Sequence, residues 1–308
     1  MAGRLLEWFE HLPLPLLASA TAPLAHRQRG AVAAWLVRRL LRNTPALRQR
    51  IFGNLRHIDP TLSDARAAEI LDGMADNLGR TLIEILHPQD FLARAPQIRV
   101  VEGGGLDHVL AAQRDGTGLL SVTGHFGQWE ATRAFLKARG GSVAALYRPM
   151  KNPFSDRFLT ARYAAFGSPM FPKGRQGTRG LVRHLSQGGT LGIMHDQKID
   201  EGVLLPFLGR PAPTALLAAE LALKFKLPLL PAYAWRDADL ETIHFEVEPP
   251  IPPSTPAEMM TAVNHSLARR VAARPEQYYW LHRRWQIRNP KHIAELPGWA
   301  GRCAPVRL

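Results

Sequence analysis

The chain has 308 residues, 46% of them hydrophobic and 21% charged, with a single cysteine, Cys303. That is the make-up of a globular protein with a sizeable core, and it excludes disordered, fibrous, disulfide-stapled and thiolate–metal classes. The formal net charge of +13 sits at the ends: residues 1–58 carry nine Arg against Glu7 and Glu10, residues 264–308 carry nine Arg or Lys against Glu276 and Glu295, and the middle is nearly neutral. Two basic ends attract nucleic acid, anionic lipid headgroups or an acidic protein, and charge alone does not choose among these.

In chain order, Leu12–Ala25 is apolar but short, and Pro13, Pro15 and Pro23 break it. Arg4 is followed by Glu7 and Glu10, which spoils the basic start of a signal peptide. No uncharged apolar run reaches the roughly 18 residues of a membrane span, so a reducing, cytosol-facing protein without a spanning helix is expected. Residues 31–56 are predicted to form one basic amphipathic helix. Val32, Trp35, Leu36 and Leu40 recur at helical spacing, with Arg38 and Arg42 on another flank. Such a helix either lies on a membrane surface or packs on its own domain with a solvated Arg face. Ser63 is predicted to cap a second helix whose stripe, through Ile70, Met74 and Leu78, runs to about Leu86.

After Pro96 the pattern changes. Strands are predicted at Ile98–Val101, Gly118–Val122, Val143–Leu146, Thr190–Met194, Leu229–Ala234 and Ile243–Val247. Helices are predicted between them at Trp129–Ala138, Phe154–Phe166, Thr178–Gln187 and Thr214–Phe225, with Ala257–Ala273 after the last strand. This alternation implies an α/β fold, a single mixed β-sheet flanked by helices. The expected division is a helical, basic, membrane-associating region at 1–92 and an α/β domain at 93–308.

The most pointed segment is Gly118-Leu-Leu-Ser-Val-Thr-Gly-His-Phe-Gly-Gln-Trp-Glu130, an apolar strand running into a Gly-flanked histidine before a helix expected to start near Gln128. Reactive groups in open α/β sheets gather at the carboxyl ends of strands, where His125 would lie. With a carboxylate five residues on, His125 reads as a general base oriented by Glu130. Residues five apart on one helix point about 140° apart, so the pair requires His125 to precede the helix, a bend that Gly124 and Gly127 permit. A second such pair, His195 with Asp200, is about what chance supplies.

Gly124-His-Phe-Gly-Gln-Trp-Glu130 resembles the His-x4-Glu motif of the bacterial lipid A biosynthesis acyltransferases, within the glycerolipid acyltransferase superfamily. Three further blocks agree in order: Tyr147-Arg-Pro-Met-Lys-Asn-Pro153; Asp196-Gln197 with Gly202-Val-Leu-Leu-Pro-Phe-Leu-Gly-Arg-Pro-Ala-Pro-Thr214; and Pro275-Glu-Gln-Tyr-Tyr-Trp-Leu-His-Arg-Arg-Trp285. The resemblance implies that His125 deprotonates an acceptor hydroxyl, that Glu130 orients it, and that the alkoxide attacks an acyl thioester without an acyl-enzyme. Backbone N–H groups near Phe126 and Gly127, beside Gln128 at the expected helix start, would receive the developing oxyanion. The implied donor is acylated acyl carrier protein or acyl-CoA, the acceptor a phosphorylated glycolipid, and no metal or organic cofactor is implied. Arg148 and Arg162 are expected near acceptor phosphate or the reacting carbonyl, with Lys173 and Arg175 as a second phosphate contact. Asp196, at a strand end, either positions a neighbouring group or caps structure. Trp280 and Trp285 are expected to be buried with exposed arginines beside them. Met150, Phe154, Met170 and Phe207 are candidates for the end of the acyl tunnel. Expected localisation is the cytoplasmic face of the bacterial inner membrane, peripheral or weakly anchored by the N-terminus on anionic lipid. Other acceptor lipids remain open, and a nucleic-acid-binding role lacks any helix-turn-helix, zinc or RNP-type signature.

Overall fold

The computed structural model describes residues 10–287 and 306–308, so Cys303 lies outside the described residues. Among these, five helices precede the first strand: α1 (Pro13–Thr21), α2 (His26–Asn43), α3 (Pro45–Ile58), α4 (Asp64–Leu86) and α5 (Pro88–Arg94). The single helix expected over 31–56 is therefore two. Pro45 has no N–H and drives the residue before it out of the helical region; Thr44 is extended, at φ −108° and ψ 96°. Helix α4 starts as expected, with the Ser63 hydroxyl accepting from the Arg66 N–H at 3.1 Å.

Helix α2 packs along α4 with its small side, through Gly30, Ala33 and Ala34. Arg38 and Arg42 keep contact with solvent, as a packed helix with a charged flank implies, while pairing with Asp76 and Asp72 of α4. The apolar face points outward instead, with Trp35 56% and Leu40 57% exposed beside Val32 and Leu36. No helix among the described residues is long and apolar enough to cross a membrane.

The remaining elements run β1 (Arg99–Val101), α6 (Leu106–Asp115), β2 (Leu120–Thr123), α7 (Ala131–Lys137), β3 (Ala144–Tyr147), α8 (Pro153–Phe166), β4 (Met170–Pro172), α9 (Arg175–Ser186), β5 (Leu191–Met194), β6 (Val203–Phe207), β7 (Arg210–Thr214), α10 (Leu217–Phe225), β8 (Leu229–Arg236), β9 (Ile243–Val247) and α11 (Pro256–Ala273). A seven-stranded sheet has the order β1-β9-β8-β2-β5-β3-β4, in which β8, β2, β5, β3 and β4 are parallel and β9 and β1 run against them. The fold is thus the expected α/β class. Beyond the expected single sheet, β6 and β7 form a separate antiparallel hairpin. Its prolines, Pro206, Pro211 and Pro213, argue against a sheet interior, yet a two-stranded ribbon tolerates them. Leu208 (φ 49°) and Gly209 (φ 69°) supply the two left-handed residues of its tight turn. Three-residue β4 has too little pattern to be legible in sequence.

Strand periodicity divides the sheet into two faces. Leu120, Val122 and Leu191 point into one apolar cluster with Leu181, Leu221 and Val263. Their alternates Ser121, Thr123 and Gly192 line an open space on the other face. A further cluster joins the preface to the far end of the chain, Leu41, Ile51, Leu55 and Met74 packing with Phe126, Trp235, Trp280 and Trp285.

Candidate active site

Parallel pairing of β2 with β5 sets Thr123 opposite Met194. Two residues beyond each strand end stand His125 and Asp196, 71 positions apart in sequence, with His125 Nδ1 2.8 Å from Asp196 Oδ1. The other carboxylate oxygen accepts the His125 backbone N–H at 2.9 Å. This clamp needs close backbone approach. A Cβ on Gly124 would stand 2.6 Å from Leu267 Cδ2, and one on Gly127 (φ 55°) would stand 1.9 Å from the Ala234 carbonyl oxygen. Helix α7 starts only at Ala131, so His125 lies in the loop before it, as the pair requires.

Asp196 is fully buried. Burial opposes its ionisation, but the facing His125, through charge and hydrogen bond, and then His282 and His195, hold the carboxyl well below the usual range. An ionised Asp196 is an acceptor and fixes the proton of His125 on Nδ1. The free nitrogen is then Nε2, whose partner among the described residues is the Gln197 amide at 3.5 Å. His282 adds its Nε2 at 3.1 Å from His125 Nδ1, the rings meeting edge to face at 4.6 Å. Burial, reinforced by the neighbouring His125, lowers the pKa of His282 to about 4 and keeps it neutral. Trp129 and Tyr279 flank the His125 ring at 5.4 and 5.9 Å.

Glu130 is placed differently from the expectation. Its carboxylate accepts from Arg133 Nη1 at 2.8 Å with both side chains nearly buried. Arg133 in turn donates to the carbonyl oxygens of Gly167 and Val143. The carboxylate hydrogen-bonded to the His125 imidazole is that of Asp196. The expected oxyanion donors are also engaged elsewhere: Phe126 N–H on Gly124 O, Gly127 N–H on Gln277 O at 2.9 Å and Gln128 N–H on Ala234 O. The Gln128 side chain is fully buried, donating to Glu84 and accepting from the Glu130 N–H. The segment is stitched to β8 and to residues 275–278 and does not form the helix start that would leave these N–H groups free.

A cavity of about 580 Å³ opens beside His125. Its walls are mostly apolar, with Leu78 and Leu82 of α4, Trp129, Leu146, Leu159 and Ile193, while Arg148, Gln197 and His282 also line it. Met150 and Met170 line it as expected. Phe154 instead stacks near His11, and Phe207 packs at 5.6 Å on Trp285 within the core. Arg162 is not among the lining residues: it donates to Leu86 O and Phe158 O and lies over the Phe158 ring. Lys173 and Arg175 are exposed, and the Lys173 N–H on Tyr147 O puts them at the sheet edge that carries Arg148.

The decoy histidine His195 is buried, its Nδ1 on Thr123 O at 2.9 Å. Trp280 and Trp285 are buried as expected. Of the two arginines between them, Arg283 is exposed as expected, whereas Arg284 is fully buried, donating to Pro213 O, Thr214 Oγ1 and Asn264 Oδ1. Asp196 as the partner of His125, His282, Gln197 and Arg133 are the site residues whose roles sequence reasoning missed. His282 and Gln197 lay inside quoted blocks, but the link from His282 to His125 spans 157 positions and has no linear signature.

A strand-end histidine on a buried carboxylate, at the mouth of an apolar cavity, is the equipment of an enzyme that activates a hydroxyl beside a long aliphatic group. Comparison with known proteins agrees: residues 4–287 match the model of the bacterial lipid A biosynthesis acyltransferase family. The chain belongs to that family and is an acyltransferase. It is 21% identical to a lipid A biosynthesis acyltransferase of Haemophilus influenzae over 89% of this chain and 85% of that protein. It is 26% identical to a lipid A biosynthesis lauroyltransferase of Escherichia coli over 76% of this chain and 78% of that protein. A phosphatidylinositol mannoside acyltransferase of Mycobacterium tuberculosis is 25% identical over 59% of each chain.

Proposed function

We propose that this protein transfers a fatty acyl chain from an acyl carrier protein or coenzyme A thioester to a hydroxyl of a phosphorylated lipid A precursor. The observation that carries the reading is the hydrogen bond of His125 Nδ1 to ionised Asp196, which leaves Nε2 as the basic atom of a residue lining an apolar cavity. His125 Nε2 takes the proton of the acceptor hydroxyl, and the oxygen attacks the thioester carbonyl carbon. The C–S bond then breaks, and the departing thiolate recovers the proton from His125. Asp196 orients the imidazole and balances the transient imidazolium.

Gln197 and Arg148, both exposed at the cavity, are the donors placed to meet the oxyanion or an acceptor phosphate, in the role first expected of Phe126 and Gly127. Lys173 and Arg175 extend that cationic edge. Glu130 and Arg133 hold the wall of the cavity. The acyl chain lies among Leu78, Trp129, Leu159 and Ile193.

The outward face of α2 supports attachment to the cytoplasmic leaflet of the inner membrane, with Trp35, Leu36 and Leu40 in the lipid boundary and Arg39 against Trp35 at 5.9 Å. In this reading residues 1–92 are the membrane-associating region and 93–308 the catalytic domain. The likeness to a phosphatidylinositol mannoside acyltransferase makes a mannosylated phospholipid the second acceptor to test.

The experiment is mass spectrometry of lipid products from the purified protein, mixed-length acyl thioesters and either a tetra-acylated lipid A precursor or a phosphatidylinositol mannoside. Gain of one acyl chain on the lipid A precursor, lost in His125→Ala, is the expected result. Transfer only to the mannoside moves the acceptor, and full activity in folded His125→Ala removes the base assignment.

A further inference from the structure

We propose that His125, Asp196 and His282 form a binding site for a transition-metal dication, Zn²⁺ above all, and that the bound ion switches the enzyme off. One ligand atom from each of these side chains lies within 4.8 Å of the other two, and His125 Nδ1 is 2.8 Å from Asp196 Oδ1 and 3.1 Å from His282 Nε2. Donor atoms around a tetrahedral Zn²⁺ with bonds of 2.0–2.1 Å stand about 3.3 Å apart, so the ion requires the two contacts of His125 Nδ1 to open slightly and the third pair, already within 4.8 Å, to settle at a similar separation. Two imidazoles and one carboxylate with a position left open is a donor set suited to zinc and its transition-metal neighbours. Mg²⁺ and Ca²⁺ prefer all-oxygen shells.

The three ligands are also held in place through backbone hydrogen bonds, apart from the contacts among their donor atoms. Asp196 is fixed by its second oxygen on the His125 backbone N–H. The loop carrying His282 is tied down by Asn54 Nδ2 on His282 O at 2.8 Å, and that strap continues to His125 through Tyr279 N–H on His125 O at 3.0 Å. Outer contacts of this kind orient metal ligands. Access is provided as well, because His125 and His282 line the cavity and its space offers room for a water as fourth ligand.

The inhibitory consequence follows from proton bookkeeping and rests on His125 being the base. An ion on Nδ1 leaves the imidazole proton to move to Nε2. The atom that must accept the hydroxyl proton is then already protonated, and no proton is released to solvent.

The test uses the full chain and three readouts: calorimetric titration with ZnCl2, the visible absorption of added Co²⁺, and the transfer assay with and without chelator. One ion per chain is expected, with transfer falling in step with occupancy, recovering on chelation and indifferent to Mg²⁺. His282→Gln is expected to weaken binding by at least about tenfold, the loss that even an outer-shell partner causes. Should that variant not fold, protection of His125 and His282 from diethyl pyrocarbonate by Zn²⁺, read by peptide mass, decides the same point. No Zn²⁺ binding, equal affinity in folded His282→Gln, or absence of protection overturns the site. Binding at His282 that leaves transfer intact overturns the switch and the base role of His125, while the ion site stands.

Discussion

Asp196 and Glu130 are the two carboxylates in question around His125, but Asp196 faces two imidazoles and Glu130 faces a guanidinium. Their removal should therefore fail in different ways. Asp196→Asn is expected to lower kcat by roughly 10²–10⁴, the range of a general-base contribution, with KM nearly unchanged. Glu130→Gln leaves Arg133 buried without its counter-charge, and breaking such a pair costs about 3–5 kcal/mol; chemical denaturation should show that loss, with kcat of the folded fraction falling less than in Asp196→Asn. A stable Glu130→Gln with kcat abolished would return the orienting role to Glu130. Much of this was legible: His125 and its two glycines announce a reactive bend after a strand. The identity of its partner was not, because a parallel register between strands 71 positions apart puts it there.

At the scale of elements, three neighbouring strands set Ser121, Gly192 and Ala145 side by side on the cavity face, since Ser121 and Ala145 both pair with Gly192. Small residues in one row leave the volume that larger neighbours fill on the opposite face. Ala145→Leu is expected to displace the preferred donor to a shorter chain. Each methylene kept out of the cavity forfeits about 0.8 kcal/mol, so loss of two lowers kcat/KM for the original chain roughly tenfold, as competition between donors of different length would show. Helix α2 carries a second element-scale prediction. Trp35→Ser with Leu40→Glu should cut binding to anionic vesicles severalfold while leaving the melting temperature within a degree or two, because both side chains are more than half exposed. An unchanged partition would assign membrane contact to another face. Helix periodicity showed this stripe but not its direction, which is set by the packing of Gly30, Ala33 and Ala34 against α4, with the ion pairs of Arg38 and Arg42 to that helix along the flank.

Across the whole molecule, the preface and the sheet are locked together by Glu84 of α4 and Arg236 of β8, both buried, with the guanidinium nitrogen 2.5 Å from the carboxylate. Burial pushes the Glu84 carboxyl up, but Arg236 and then His26 outweigh it and hold it down to about 2. Unfolded, the group titrates near its ordinary value of about 4.3, so between there and about 2 the unfolded chain binds the extra proton. The stabilisation is fully present above that window and is lost as pH falls through it. Calorimetric melting temperatures should be flat in Glu84 terms above about pH 5 and drop towards pH 2; Glu84→Gln should start lower at neutral pH and lose that part of the slope.

The sequence by itself determined the α/β class, the strand-loop-helix that carries His125, the capped start of α4 and the family, because periodicity, glycine placement and ordered motifs are local properties of the chain. Only the tertiary structure decided which carboxylate meets the histidine, that His282 joins them, that the N–H groups of Phe126, Gly127 and Gln128 are already used, and that α2 turns its apolar side outward. Each of these depends on strand register or on contacts between distant segments, and a contact across 71 or 157 positions leaves no periodic trace in the chain.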